Sequence, residues 1–415
     1  MNETVVRRMT ELGVHLFRLN MSHTSLDDLE NIIGRIRGWT DVPISLDSEG
    51  AQLRNGSMQS ETVEFNAGDR ITIHGSPMVG DAANLYFNPA SVEKQFQVGD
   101  EIQVDFNHVR LKIIEAGDGA FIAEVLEGGI IGSNKAADLN RDIAFEPLTE
   151  KDMAAIEIGR RLEISNFAMS FTNRAEDVAV MRAACGTDAT IIHKIESPAG
   201  LRNLNGILEA ADEILIDRGD LSRRVPIEQI PFLQRRIISL TRSKGKAVYV
   251  ATNLLESMVT TKSPNRAEVN DAVSTLEMGA SGLVLAAETA IGKYPVEAVR
   301  AMANTIANIE HAGSTFYNKT NDFDNSEEGS QLSDVLIKSA CAFVEDSDAK
   351  AMVTMSKSGY SGYRVAMYRP NCPIFLVTNN KALLTQMNLV WGVKGLFYDK
   401  ETSINDTLVD IEAIL

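Results

Sequence analysis

Seven short apolar runs, each ending in polar residues, recur along the chain: HLFRLN (15–20), VPISLD (42–47), FAMSF (167–171), ATIIHKIE (189–196), EILIDRGD (213–220), KAVYVAT (246–252) and GLVLAAE (282–288). Between most of them lie helical patterns such as EDVAVMRAAC and QIPFLQRRIISLTRS. Strand, helix, strand in units of roughly 25 to 35 residues restricts the chain to a parallel sheet or a β/α barrel. A closed barrel of this type needs eight strands, one more than the count reached here.

The rhythm breaks once. Between Arg54 and about Asn140 the chain carries glycine-aspartate turns at NAGDR, QVGDE and EAGDG, with alternating runs ITIHG, IQVDF and LKIIEA around them. That texture predicts a small antiparallel β domain inserted in a loop of the larger one. After Glu310 comes a polar stretch, GSTFYNKTNDFDNSEEGS, and then a further α/β segment containing KAMVTMS and CPIFLVTN. The expected division is a barrel over 1–54 and 141–311, an inserted β lid over 55–140, a linker over 312–330 and a carboxyl-terminal α/β domain over 331–415.

At 415 residues the chain can bury more than one core. A net charge of -17 argues against nucleic acid or an anionic membrane as the main partner, since both call for basic surfaces. No apolar run approaches the ~20 residues of a spanning helix. Cys185, Cys341 and Cys372 are too scattered for a zinc or redox motif and fit a reducing cytoplasm.

The polar residues sort by position. Arg18, Asn20, Asp47, Ser170, Lys194, Glu196, Asp220, Thr252 and Glu288 fall at or just past the carboxyl ends of successive strands, the end where a β/α barrel carries its active site. Side chains two apart on a strand share a face, so Lys194 and Glu196 point together. Glu196 and Asp220 end neighbouring strands and can reach one hard divalent cation, magnesium or manganese. Lys194 beside them suits neutralisation of a group in transfer, and Arg18 offers a fork for phosphate or carboxylate. Asn20, Ser22, Asp47 and Ser48 form an oxygen-only set that suits either a monovalent cation or a hydrogen-bond network. A divalent cation, lysine and arginine around one anion suggest phosphoryl transfer.

The ordered motifs RLNMSH (18–23), LDSEGAQLRNG (46–56), HKIESPAGL (193–201), DRGDL (217–221), ATNLLESM (251–258), PNRAEV (264–269) and AAETAIGKYPVEAV (286–299) resemble those of pyruvate kinase, over essentially the whole chain. The resemblance implies a TIM-type β/α barrel with a mobile β-barrel lid and a carboxyl-terminal α/β domain, a homotetramer, and transfer of phosphate from phosphoenolpyruvate to ADP. It implies that Lys194 stabilises the phosphoryl group, that Glu196 and Asp220 hold magnesium, and that Arg18 contacts phosphate. Thr252 and the backbone amides of Gly219 and Asp220 would meet the substrate carboxylate. Asn20, Ser22, Asp47 and Ser48 resemble a potassium site, while His23, Arg54 and Lys135 match positions near the nucleotide phosphates. Glu288 matches a supporting acidic position.

The chain also departs from the pattern. Ser48, Gln52, Asn173 and Asp217 stand where the family commonly has threonine, glutamate, arginine and alanine, and Ala136, Ala137 and Asn140 break the usual lid pattern. SKSGYS (356–361) corresponds to a loop that can hold an activator's phosphate, but with Tyr360 in place of a basic residue, so weak or absent activation by a sugar bisphosphate is expected. The chain opens directly in a helix, NETVVRRMTELG, and ends at VDIEAIL, so the expectation is a missing first barrel strand and an incomplete carboxyl-terminal domain, with either a natural protein that is longer at its start or an edge beside residues 15–20 covered by another chain or element and weakened ADP binding. The alternative reading is a relative that binds phosphorylated metabolites without catalysis or acts on a different pyruvate-like substrate.

Overall fold

A computed structural model describes residues 2–50, 52–90, 92–105, 109–312, 331–400 and 402–414. All but the first residue of the expected linker therefore lies outside the described residues. Each of the seven apolar runs forms a strand: Phe17–Asn20, Ile44–Asp47, Asn166–Met169, Thr190–Ile195, Glu213–Asp217, Val248–Ala251 and Gly282–Val284. They pair in that order, every neighbour parallel. The Thr190–Ile195 strand is buried at every position, as a parallel strand covered on both faces must be. Ala168, Ile192, Leu215, Tyr249 and Ala251 cluster with one another on one side of the sheet. Phe167, Ile191, Ile214, Val248 and Val250 instead join the clusters shared with the surrounding helices. Because Ile192 belongs to the first group, period two puts Lys194 and Glu196 on that same inner face.

Among the described residues the first and last strands do not pair, and the curled sheet stays open between them. Helix Glu3–Glu11 packs against both Leu26–Trp39 and Pro295–Ala312, the helices that follow the two edge strands. It turns Val6 and Met9 into the cavity behind the opening, so an element of the chain itself lies over the unpaired edges.

The insert builds its own core around Phe65, Ile73, Leu85, Ile102, Leu111 and Ile131. Its sheet runs from Ala137–Leu139 to Arg54–Asn55, and a bridge from Arg54 to Ala136 joins the two ends into a small barrel. One pair, Arg70–His74 with Asn84–Asn88, is parallel where alternation alone suggested only antiparallel strands. The carboxyl-terminal segment holds a three-stranded parallel sheet, Met352–Met355, Ile374–Thr378 and Val393–Phe397. It docks under the larger sheet through Arg369, whose guanidinium donates to the Leu276 and Ala280 carbonyls at 2.6 Å and lies 4.1 Å over the Trp391 ring.

Candidate active site

The strand ends converge on Lys194. Its ammonium, 5% exposed as a residue, lies 3.1 Å from Glu196 Oε2, 3.5 Å from Asp217 Oδ2 and 3.6 Å from Asp47 Oδ2. It also donates to Ser170 Oγ at 3.1 Å. Burial favours neutral lysine, yet Asp47, Glu196 and Asp217 outweigh it and hold the ammonium charged. Arg18 donates to Asp47 Oδ2 at 2.8 Å, so Asp47 lies between two cations.

Glu196 is fully enclosed. Its Oε1 accepts the Phe171 amide at 2.7 Å, while its buried Oε2 faces the Lys194 ammonium. Burial, joined by Asp220, Asp217 and Asp47 and opposed by Lys194, pushes its carboxyl above the usual carboxylate range. Burial and Asp217 raise Asp220 in the same way. Glu196, Asp217 and Asp220 offer oxygens within 4.8 Å of one another. A buried set of three carboxylates that offers only oxygen atoms fits a hard divalent cation. The expected pair is present, and Asp217 makes it three.

Thr252 follows strand Val248–Ala251 at φ 67°, a left-handed backbone that a β-branched residue adopts only under constraint. The constraint is Arg218. Its guanidinium donates to the carbonyls of Thr252 at 2.7 Å and Asn253 at 3.0 Å and to Asp271 at 2.7 Å. Thus fixed, the Thr252 hydroxyl accepts the Gly219 amide at 2.7 Å and approaches Asp217 Oδ1 at 3.1 Å. The Gly219 amide expected to meet substrate is therefore already engaged.

The oxygen-only set is engaged as well. Asn20 Oδ1 accepts the Ser22 amide at 2.9 Å, and Ser48 Oγ accepts the Ser170 amide at 2.9 Å. Asn20 and Asp47 are register partners on adjacent strands. Glu288 accepts the amides of Leu255 at 2.9 Å and Ala286 at 2.7 Å, which clamps the loop after Thr252. Asn173 accepts from the Ser197 hydroxyl and offers no cation.

A single cavity of about 2240 Å³ opens above these groups and continues through the unpaired gap in the sheet. His23, Arg54 and Lys135 line it, so the three nucleotide-facing candidates share a space with Lys194. Arg54 donates to the Asn134 carbonyl at 3.0 Å, and Lys135 lies 3.3 Å from Asp105. Sequence reasoning passed over Arg223, which binds Asp220 at 3.2 Å, Asp138 of the insert at 2.6 Å and Gln52 at 3.3 Å. Its one sequence signal was the spacing of three from Asp220 within a short helical turn.

Comparison with known proteins agrees with this geometry. The family pattern described as "Pyruvate kinase, barrel domain" matches residues 1–299, and "Pyruvate kinase, alpha/beta domain" matches residues 334–415. The chain is similar to the "Pyruvate kinase" of Thermotoga maritima, 31% identical over 95% of this chain and 86% of that one. It is also similar to the "Pyruvate kinase" of Geobacillus stearothermophilus, 32% identical over 97% of this chain and 70% of that one. The "Pyruvate kinase 1" of Candida glabrata is 30% identical over 100% of this chain and 85% of its own.

Proposed function

The chain belongs to the pyruvate kinase family, and from that premise we propose that it moves the phosphoryl group of phosphoenolpyruvate to ADP, giving pyruvate and ATP. The observation that carries the reading is the placement of Lys194 beside Glu196 and Asp220 at one rim of the sheet, facing a cavity shared with Arg54 and Lys135 of the insert. A lysine held charged in a buried pocket is preorganised for the phosphoryl group between donor and acceptor, where its charge is worth most. Arg18, fixed by Asp47, orients the phosphate, and the Thr252 hydroxyl serves the carboxylate end and the protonation of the enolate.

Glu196 and Asp220 would hold magnesium or manganese, which when bound supplies Lewis-acid neutralisation of the substrate's anionic oxygens. Asn20, Ser22, Asp47 and Ser48 are assigned to potassium, and His23, Arg54 and Lys135 to the nucleotide phosphates. The scattered Cys185, Cys341 and Cys372 support assignment to the reducing cytoplasm, and no helix among the described residues is long and apolar enough to cross a membrane. Leu332, Val335, Leu336 and Phe343 leave an apolar stripe exposed along helix Gln331–Glu345, which supports assembly of several copies.

The deciding experiment is a coupled assay of pyruvate formation from phosphoenolpyruvate and ADP with magnesium and potassium. Turnover should vanish in excess chelator and in Glu196→Ala and Asp220→Ala. No pyruvate above background with the complete mixture, or full activity in chelator, contradicts the proposal.

A further inference from the structure

Asp217 ends the strand Glu213–Asp217, is 4% exposed and lines the cavity above Lys194. The Lys194 ammonium, the Arg18 guanidinium, the Thr252 hydroxyl and the Asp220 amide surround it, a setting complementary to a carboxylate. Its Oδ1 lies 3.1 Å from the Thr252 hydroxyl and its Oδ2 3.5 Å from Lys194 Nζ. A methyl group added at Gly219 would sit 3.4 Å from Asp217 Oδ1 and 3.3 Å from Thr252 Oγ1, so the carboxylate is packed directly against that turn. The groups that can receive an incoming carboxylate here are the Thr252 hydroxyl, the Gly219–Asp220 turn and the cation held by Glu196 and Asp220. Asp217 already touches the first two, and its carboxylate lies within 4.8 Å of the Glu196 and Asp220 oxygens that would hold the third.

Resting on the reading of this cleft as a phosphoenolpyruvate site, we propose that Asp217 is a specificity-determining residue whose carboxylate occupies the seat of the substrate's own carboxylate and serves as a third protein ligand to the divalent cation. Two consequences oppose each other. A third carboxylate strengthens cation binding before substrate arrives, because metal affinity in oxygen sites rises with the number of charged ligands. The same charge competes with a carboxylate substrate for the same donors and repels it, an element that works against one ligand class as much as for another. The cation is then resident in the empty site, and carboxylate ligands bind only by displacing Asp217.

Manganese binding without substrate, followed by electron paramagnetic resonance, and oxalate binding at saturating manganese, followed by calorimetry, test this on the full chain. Asp217→Ala and Asp217→Asn should each bind manganese alone at least ~10-fold more weakly and oxalate at least ~10-fold more tightly, with a lower KM for phosphoenolpyruvate. Asp217→Asn keeps the shape of the side chain, so the test stands if the alanine variant fails to fold. Unchanged or weaker oxalate binding in the folded variants overturns the assignment even if the wild type makes pyruvate. A wild type that makes no pyruvate while both variants gain oxalate affinity overturns the activity and leaves the role of Asp217 standing.

Discussion

Lys194 illustrates how one residue's chemistry depends on what surrounds it. Three carboxylates within 3.6 Å outweigh its burial, so the ammonium is a fixed charge and not a proton donor. Lys194→Met should lower kcat by at least ~100-fold, the scale of losing one preorganised electrostatic donor, while KM changes less. A loss confined to KM would contradict the role. The same substitution leaves Asp47, Glu196 and Asp217 without their shared cation, so thermal unfolding at neutral pH should shift down. Lys194→Arg restores the charge without the shape, and should recover the stability but not the turnover.

At the scale of elements, the strand Glu213–Asp217 joins the active-site end to the domain below. Glu213, at the opposite end from Asp217, is 0% exposed and accepts the hydroxyls of Tyr249 and of Tyr363 from helix Tyr360–Tyr368, each at 3.1 Å. Tyr249 also reaches the Leu389 carbonyl at 3.2 Å. Burial, opposed by the two tyrosines and reinforced by Asp212, pushes the Glu213 carboxyl up from 4.5 to about 7. Asp212 is itself paired with Arg182.

A carboxyl raised in the folded state favours folding while protonated. Its contribution is fully present below pH 4.5 and is lost as pH rises through about 7. The difference amounts to about 3 kcal/mol at 1.36 kcal/mol per pKa unit. Urea unfolding of wild type and Glu213→Gln at several pH values should show the wild type losing stability relative to the variant across that window. Parallel profiles would refute it. A second element, SKSGYS (356–361), spends its polar groups internally: Ser356 Oγ accepts the Gly359 amide at 2.9 Å, and Tyr360 donates to Asp334 at 2.6 Å. Arg364 pairs with the same Asp334 at 2.6 Å. Activation by a sugar bisphosphate is expected to be weak or absent, and a large shift in the KM for phosphoenolpyruvate on adding one would contradict this.

For the whole molecule the open sheet and the exposed stripe set the behaviour. The two unpaired strand edges face one cavity and lie under helix Glu3–Glu11, which limits their use as templates for another chain. The stripe of Leu332, Val335, Leu336 and Phe343 has no such cover among the described residues. Spacings of three and four put its first three members on one helical face. If copies associate through it, Leu336→Glu with Phe343→Glu should lower the mass measured by light scattering after gel filtration and leave the far-ultraviolet spectrum unchanged. An unchanged mass would place the contact elsewhere.

The seven strands, their order and the rim on which Lys194, Glu196 and Asp220 meet were legible in the chain. Period-two alternation and the strand-helix rhythm are local properties, and a parallel sheet leaves little freedom in how such units follow one another. The β insert announced itself through its turns for the same reason. What alternation cannot report is contact between groups distant in the chain. That Arg218 holds Thr252 in a left-handed backbone, that Arg223 ties Asp220 to Asp138 of the insert, and that Glu213 meets Tyr363 across 150 positions depend on packing. Asp217 marks the boundary between the two kinds of knowledge. The sequence placed a carboxylate at a strand end, but only burial against Lys194 and Thr252 decided that it points into the site, because the charge of a side chain is written in the chain and its neighbours are not.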